Sequence, residues 1–225
     1  MSGQLRQTIE GVLLVFATLL PIVNPFGGAP VFLAMTADCT PELRKALATR
    51  VAVNAFLLLF CSVFVGTYVL DFFGLSVPIV QVAGGLVVCA LGWDLLRQET
   101  TEPNPAPPAG PGASAIATRA FYPLTLPLTV GPGTISVAIT LGANHSHSMR
   151  SLLANGASEL VGVTLIAATI LVCYRYADRM LRALGTTGTS VLVRLSAFIL
   201  LCIGVQILWN GASALFESMP LPRAR

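Results

Sequence analysis

The chain is short of charge. Asp, Glu, Lys and Arg make up 10% of its 225 residues, against 55% hydrophobic residues, and the mean hydropathy is strongly positive. A soluble domain of this length needs a far more polar surface, so the scarcity excludes a water-soluble fold and points to a chain embedded in a lipid bilayer. Basic residues form no stripe with interleaved aromatics, which leaves no basis for a nucleic-acid partner. Histidine is nearly absent: His145 and His147, in NHSHS at 144–148, are the only two. No cysteine or acidic cluster adjoins them, so no metal site is expected. The five cysteines contain no C-x-x-C pair. Cys61, Cys89, Cys173 and Cys202 lie in apolar runs and read as small hydrophobes packing between helices, and Cys39 adds no partner for a disulfide framework. No nucleophile–base set, phosphate loop or carboxylate pair suited to hydrolysis is present, so neither an enzyme nor a bound cofactor is expected.

What the chain has instead is long uncharged runs. A membrane-crossing helix needs about 20 mainly apolar residues, and six segments meet that length: 11–37, 51–70, 72–93 (entering the bilayer near Ser76), 120–143, 152–174 and 195–216. The first is longer than the apolar core of a signal peptide (about 7–15 residues) and follows a single basic residue, Arg6, so it reads as a retained span. Residues 98–118, with PNPAPPAGPG at 103–112, have the composition of a polyproline-like linker that cannot hold a helix. The linker divides one integral membrane domain, 1–225, into halves at 1–97 and 119–225, each with three spans.

The halves match in order. LPIVNP (20–25) aligns with LPLTVGP (126–132) after one insertion, and Gly74-Leu75 and Gly185-Thr186 follow the second and fifth spans. VQVAG (80–84) and VRLSA (193–197) open the third and sixth, with Cys89 and Cys202 each eight residues beyond Gln81 and Arg194. An odd number of spans per half makes the second copy enter from the opposite side. The predicted architecture is therefore an all-α membrane protein of six transmembrane helices arranged as a 3+3 inverted repeat. Arg44, Lys45, Arg50, Arg97, Arg119, Arg175, Arg179 and Arg182 fall on one side. Arg6, Arg150, Arg223 and Arg225 fall on the other. The positive-inside rule places the richer side in the cytoplasm and both chain ends in the periplasm.

The first and fourth spans are expected to be broken. Pro21, Pro25 and Pro30 interrupt one, Pro123, Pro127 and Pro132 the other, with Gly27, Gly28, Gly131 and Gly133 beside them. Proline removes a backbone donor and clashes with the preceding turn. Backbone opened at membrane depth must be buried in protein or line a polar cavity. Asn24-Pro25 and Gly131-Pro132 each read as an N-cap followed by proline at the first helical position, the start of a second half-helix. Free N–H groups are expected from Phe26 to Ala29 and from Gly133 to Ile135, where partial positive charge suits a carboxylate or another anion. Thr129, Thr134 and Ser136 add hydroxyls. Asn24, Phe26, Gly27, Gly28, Gly131, Gly133, Thr134 and Ser136 are thus the candidate substrate-binding residues. The bland alternative is a pair of proline kinks that only shape helix packing.

NPFGGAP (24–30), VAGG (82–85) and PLTLPLTVGPGT (123–134), in this order and spacing, resemble the MarC family of six-span bacterial inner-membrane proteins. The proline-rich linker is longer than the family pattern. The resemblance implies an inner-membrane location. It also implies a kinship with amino-acid exporters of the LysE type, some members being described as neutral amino-acid transporters.

Three other polar residues invite a role in H+ or Na+ coupling. Glu159 is the one carboxylate well inside a span, where a charge must pair, protonate or face a cavity unless water reaches it from the interface. Asn54 occupies the matching place in the second span. Arg194 could hold a substrate carboxylate, pair with Glu159, or extend to the cytoplasmic interface. The leading expectation is a secondary transporter of a small solute. The alternatives are a passive channel, since two half-helices meeting at midplane resemble the aquaporin arrangement, and a non-transporting membrane scaffold.

Overall fold

A computed structural model describes residues 2–97, 118–143 and 149–218. The histidines and residues 98–117 of the proline-rich segment lie outside the described residues. Within them the chain is helical throughout, with no strand: α1 (Ser2–Val23), α2 (Pro25–Met35), α3 (Pro41–Phe72), α4 (Val77–Arg97), α5 (Ala120–Thr129), α6 (Pro132–Ala143), α7 (Met149–Arg175) and α8 (Ala177–Ser218). Five helices are long and apolar enough to cross a bilayer, and α5 with α6, bent by 69°, makes a sixth if the pair is one span.

Local chemistry sets the boundaries. Thr40 caps α3 by accepting the Leu43 N–H, with Pro41 at the first helical position and Glu42 in the first turn. The helix then runs 32 residues, about 48 Å at the standard rise, well beyond the apolar stretch that defines the span. It ends at Gly74, whose φ of 67° places it in the left-handed region. There the Leu75 N–H reaches Leu70 O and the Gly74 N–H reaches Asp71 O, the paired bonds of a Schellman cap. The third span enters where expected, near residue 76, since Phe72 closes α3 and α4 begins at Val77. A second left-handed glycine, Gly185, breaks α8. The apolar part is Thr187–Ser218, which starts eight residues before the expected 195.

Small residues allow the helices to meet without a hydrophobic driving force between them. A Cβ on Gly85 would lie 2.6 Å from Leu208 N, one on Gly92 2.8 Å from Leu201 N, and one on Gly211 2.7 Å from Pro78 O. Residue numbers rise on α4 as they fall on α8, so the two helices are antiparallel. Gly142 lets α6 reach the Val63 carbonyl of α3, and Gly162 of α7 faces Val15 of α1. The interior is closed by side chains such as Leu19, Leu59, Ile166 and Ile170, all fully buried. Leu57, Val69, Phe198 and Trp209 are exposed, as a bilayer-facing surface requires. Cys89 packs against Gly204, and Cys173 is buried. Cys61 and Cys202, expected between helices, instead face outward. Their helices carry apolar residues all round, so the apolar run did not distinguish the inner face from the lipid face.

Candidate functional site

Pro25 cannot donate a backbone hydrogen bond and disfavours helical geometry in the residue before it. That residue, Asn24, adopts φ 46° and ψ 56°, a left-handed conformation that asparagine tolerates better than most residues. The break at Asn24 is nonetheless almost closed in hydrogen-bond terms. Its N–H donates to Leu20 O at 2.9 Å, its carbonyl accepts the Gly28 N–H at 2.9 Å, and its side-chain Oδ1 accepts the Gly27 N–H at 3.1 Å. Pro25 has no donor, so among the described residues Phe26 is left with the one open N–H of the first turn. Two N–H groups expected to be free, those of Gly27 and Gly28, are engaged by the cap.

The second break is built differently. Tyr122 and Leu126, each preceding a proline, have extended backbone inside α5, and both X–Pro bonds are cis. The result is a wide coil with bonds five residues apart: Val130 N–H to Thr125 O at 2.9 Å, Thr125 Oγ1 to Ala120 O at 2.7 Å, and Thr129 Oγ1 to Leu124 O at 2.7 Å. The Pro-Leu-Thr triplet occurs twice, and each threonine hydroxyl satisfies a carbonyl that the irregular backbone leaves open. Gly131 then caps α6 with its carbonyl, which accepts the Ile135 N–H at 3.1 Å. Ile135 is therefore not a free donor. The N–H groups of Gly133 and Thr134 find no acceptor among the described residues.

Between the two breaks lies a cavity of about 340 Å³. Asn24, Gly27 and Gly28 line it from one break, and Gly131, Gly133 and Thr134 from the other. Val88, Leu91 and Leu95 of α4 supply an apolar wall, and the lining reaches Met35 and Pro123 at one end. Two of the sequence-selected residues stand elsewhere. Phe26 is exposed, and Ser136 is buried with its hydroxyl donating to Val80 O at 2.8 Å, where it holds α6 against α4. Asn54 Nδ2 reaches Thr125 Oγ1 at 3.4 Å, so it supports α5 from behind. Glu159 is buried in α7 and Arg194 is exposed on α8; neither lines the cavity.

Sequence reasoning missed Tyr174. It is 1% exposed, stacks on Phe32 at 4.6 Å between ring centroids, and places its hydroxyl 2.9 Å from Thr129 Oγ1. The threonine proton is committed to Leu124 O, so the tyrosine donates and Thr129 accepts. A Cβ on Gly28 would meet the same hydroxyl at 2.6 Å, which is why the glycine is needed there. Tyr174 thus joins the two breaks. A tyrosine near the end of an apolar run reads as an interfacial residue, and no local signal reveals this contact.

At the end of the cavity marked by Met35, two arginines fasten the C-terminus of α2. Arg119 makes a two-pronged pair with Asp38, at 2.7 and 2.8 Å, and also donates to Met35 O. Arg44 bonds Thr36 O at 2.9 Å and Asp178 at 2.8 Å. Cations there complement the negative end of the helix dipole. The Arg119 hydrogen bonds hold the Asp38 carboxyl down to about 2, and the same contact raises the arginine.

The sequence matches the MarC family of integral membrane proteins over residues 9–216. It is 29% identical over 206 residues to a UPF0056 membrane protein of Archaeoglobus fulgidus, covering 92% of this chain and 94% of the relative. It is 28% identical to the Escherichia coli UPF0056 membrane protein YhcE, covering 91% and 93%. It is 27% identical to the UPF0056 inner membrane protein MarC of Salmonella paratyphi B, covering 89% and 93%. No solved structure matches. Helices long enough to span a bilayer and a family match across nearly the whole sequence lead to one conclusion: this chain is a multi-pass integral membrane protein belonging to the MarC family.

Proposed function

We propose that this protein is a secondary transporter of a small solute, with neutral amino acids the class that the family resemblance implies, acting in the bacterial inner membrane. The observation that carries the reading is the cavity of about 340 Å³ lined by both broken segments. Irregular backbone from two halves of a chain, meeting around an internal cavity, is how secondary transporters build a binding site near the bilayer midplane. The volume lies at the small end of ligand pockets, about 300–1,000 Å³, and suits a metabolite rather than a peptide.

In this reading residues 1–97 and 119–225 form inverted repeats that rock against one another. The antiparallel packing of α4 and α8 supports that arrangement, because they are the last spans of the two halves. The Asp38–Arg119 and Arg44–Asp178 pairs bring the α2–α3 loop, the start of α5 and the α7–α8 turn to one side. That grouping supports an arginine-rich cytoplasmic face with both termini in the periplasm, and a cavity that reaches toward the cytoplasm. Coupling to H+ or Na+ is assigned to buried Glu159, with Asn54 and Arg194 as secondary candidates.

Sealed proteoliposomes test the reading. Saturable uptake and counterflow of a small solute are expected, and Asn24→Leu and Gly131→Leu should abolish both by filling the cavity. Flux that never saturates and shows no counterflow would instead establish a passive channel.

A further inference from the structure

The polar groups that line the cavity are unequal in kind. Donors predominate. The Gly133 and Thr134 N–H groups at the start of the twelve-residue α6 have no acceptor among the described residues. Asn24 lines the cavity too, and with Oδ1 taken by Gly27 its side chain has the Nδ2 hydrogens left to give. The Thr134 side chain adds an independent sign that the space takes a polar group. The residue is 3% exposed, lines the cavity, and its hydroxyl has no hydrogen-bond partner among the described residues. No side-chain oxygen or nitrogen sealed inside the protein lacks a partner among the described residues, so this hydroxyl is open to the space it lines. Acceptors are all neutral: Thr129 Oγ1, whose proton goes to Leu124 O, and the Ile22 and Val23 carbonyls at the end of α1, which take no backbone N–H among the described residues. Among the described residues no acidic or basic side chain lines the space, whose remaining wall is largely Ile, Val, Leu and Met.

We infer that the cavity recognises a monocarboxylate with an apolar body, held by the first turn of α6 and the Thr134 hydroxyl, and that a substrate ammonium group is not required. This deepens the transport reading and rests on it for the site's purpose. One negative charge matches the partial positive charge of a helix N-terminus. A dianion such as phosphate would be left without a cation, and an ammonium would have no carboxylate to meet. A neutral amino acid then binds through its carboxylate and its side chain, and its deaminated analogue should bind equally well.

The test is binding to the purified full-length protein in detergent, read by thermal shift, since a ligand that binds the folded state raises its melting temperature. The probes are leucine, 4-methylpentanoate, 4-methylpentanamide, 3-methylbutylamine and inorganic phosphate. Leucine and 4-methylpentanoate should bind within about threefold of one another, the amide at least about tenfold more weakly, and the amine and phosphate not at all. Thr134→Val should weaken carboxylate binding about tenfold with the ligand-free melting temperature unchanged, and Thr134→Ser should restore it. Leucine binding more than tenfold tighter than 4-methylpentanoate would overturn the inference. So would equal binding of acid and amide, no carboxylate binding at all, or an unaffected Thr134→Val. Counterflow of another solute without carboxylate binding removes this inference and leaves the transport reading. Carboxylate binding without counterflow or net flux does the reverse.

Discussion

The two breaks share a pattern and differ in outcome. Each has a cap residue, a proline at the first helical position and a glycine within the next two, and in each the cap carbonyl takes the fourth N–H of the new helix. At the first break the cap is Asn24, whose side chain also takes the third N–H. At the second it is Gly131, which has no side chain, so the second and third N–H groups stay open. The first half-helix is further fastened at its far end by Arg44 and Arg119. One cap atom therefore separates a terminus that serves the fold from one that is available to a ligand.

The largest effect is expected from attacking the closed break. Asn24→Ala loses the cap bond, at about 1 kcal/mol, and forces alanine into a left-handed conformation, at about 1–2 kcal/mol. The sum, about 2–3 kcal/mol, should appear as a lower melting temperature in detergent. Asn24→Gly removes the same side chain but accepts the backbone, so it should lose only a few tenths. Equal losses from the two variants would show that the left-handed residue is not what makes this position demanding.

This contrast marks how far the sequence could be read. The helical class, the five long apolar helices and the places where α1 gives way to α2 and α5 to α6 are legible, because proline and apolar run length act locally. The closed state of the first terminus is less so. Asn24 is recognisable as a cap, but that it engages both the Gly27 and Gly28 donors depends on its left-handed backbone, which the sequence does not display. At Ser136 the local view also failed, since its partner, Val80 O, comes from a helix some fifty residues earlier. Phe26 failed for a related reason: the open N–H is on the helix, but its side chain points away from the cavity. Tyr174 was invisible for the same long-range reason, and it bridges both breaks.

Tyr174 offers the next test. Gly28→Ala would press a methyl to 2.6 Å from its hydroxyl oxygen, and overpacking of this kind costs about 1–3 kcal/mol. Tyr174→Phe alone should cost about 1 kcal/mol through the lost bond to Thr129. It also removes the oxygen that obstructs the methyl, so the double variant should be more stable than the two single losses predict. A double-mutant cycle in thermal denaturation reads this coupling. Strict additivity would mean that α2 shifts past Tyr174 and that the two breaks are not tied through it.

A smaller effect attaches to the far end of α2. The folded Asp38 carboxyl sits at about 2, below its ordinary 3.8. A depressed acid stabilises the fold fully above the ordinary value and loses that contribution as pH falls through the folded one. The Asp38 side chain is 54% exposed, so solvent screening limits the pair to about 0.5–1 kcal/mol. The melting-temperature gap between wild type and Asp38→Asn should be constant from pH 7 to 5 and shrink between about 4 and 2. A gap that does not depend on pH would assign the stabilisation to packing of the arginine rather than to the charge pair.

Gly131→Asn should change stability least and distinguish the breaks most sharply. A Cβ at Gly131 would stand 3.4 Å from Pro127 O and 3.8 Å from a Leu91 methyl, which is ordinary contact. Asparagine there can therefore be accommodated, and its side-chain oxygen can take the Thr134 N–H as Asn24 takes that of Gly27. Replacing a glycine cap with asparagine should stabilise the helix by a few tenths of a kcal/mol. The same oxygen would occupy a donor that the carboxylate is inferred to use and would set a partial negative charge beside it. Carboxylate binding should then fall by an order of magnitude or more while the melting temperature holds or rises. If binding and stability instead fall together, the asparagine has disturbed the cavity wall; if binding persists, the open N–H groups are not what the ligand contacts.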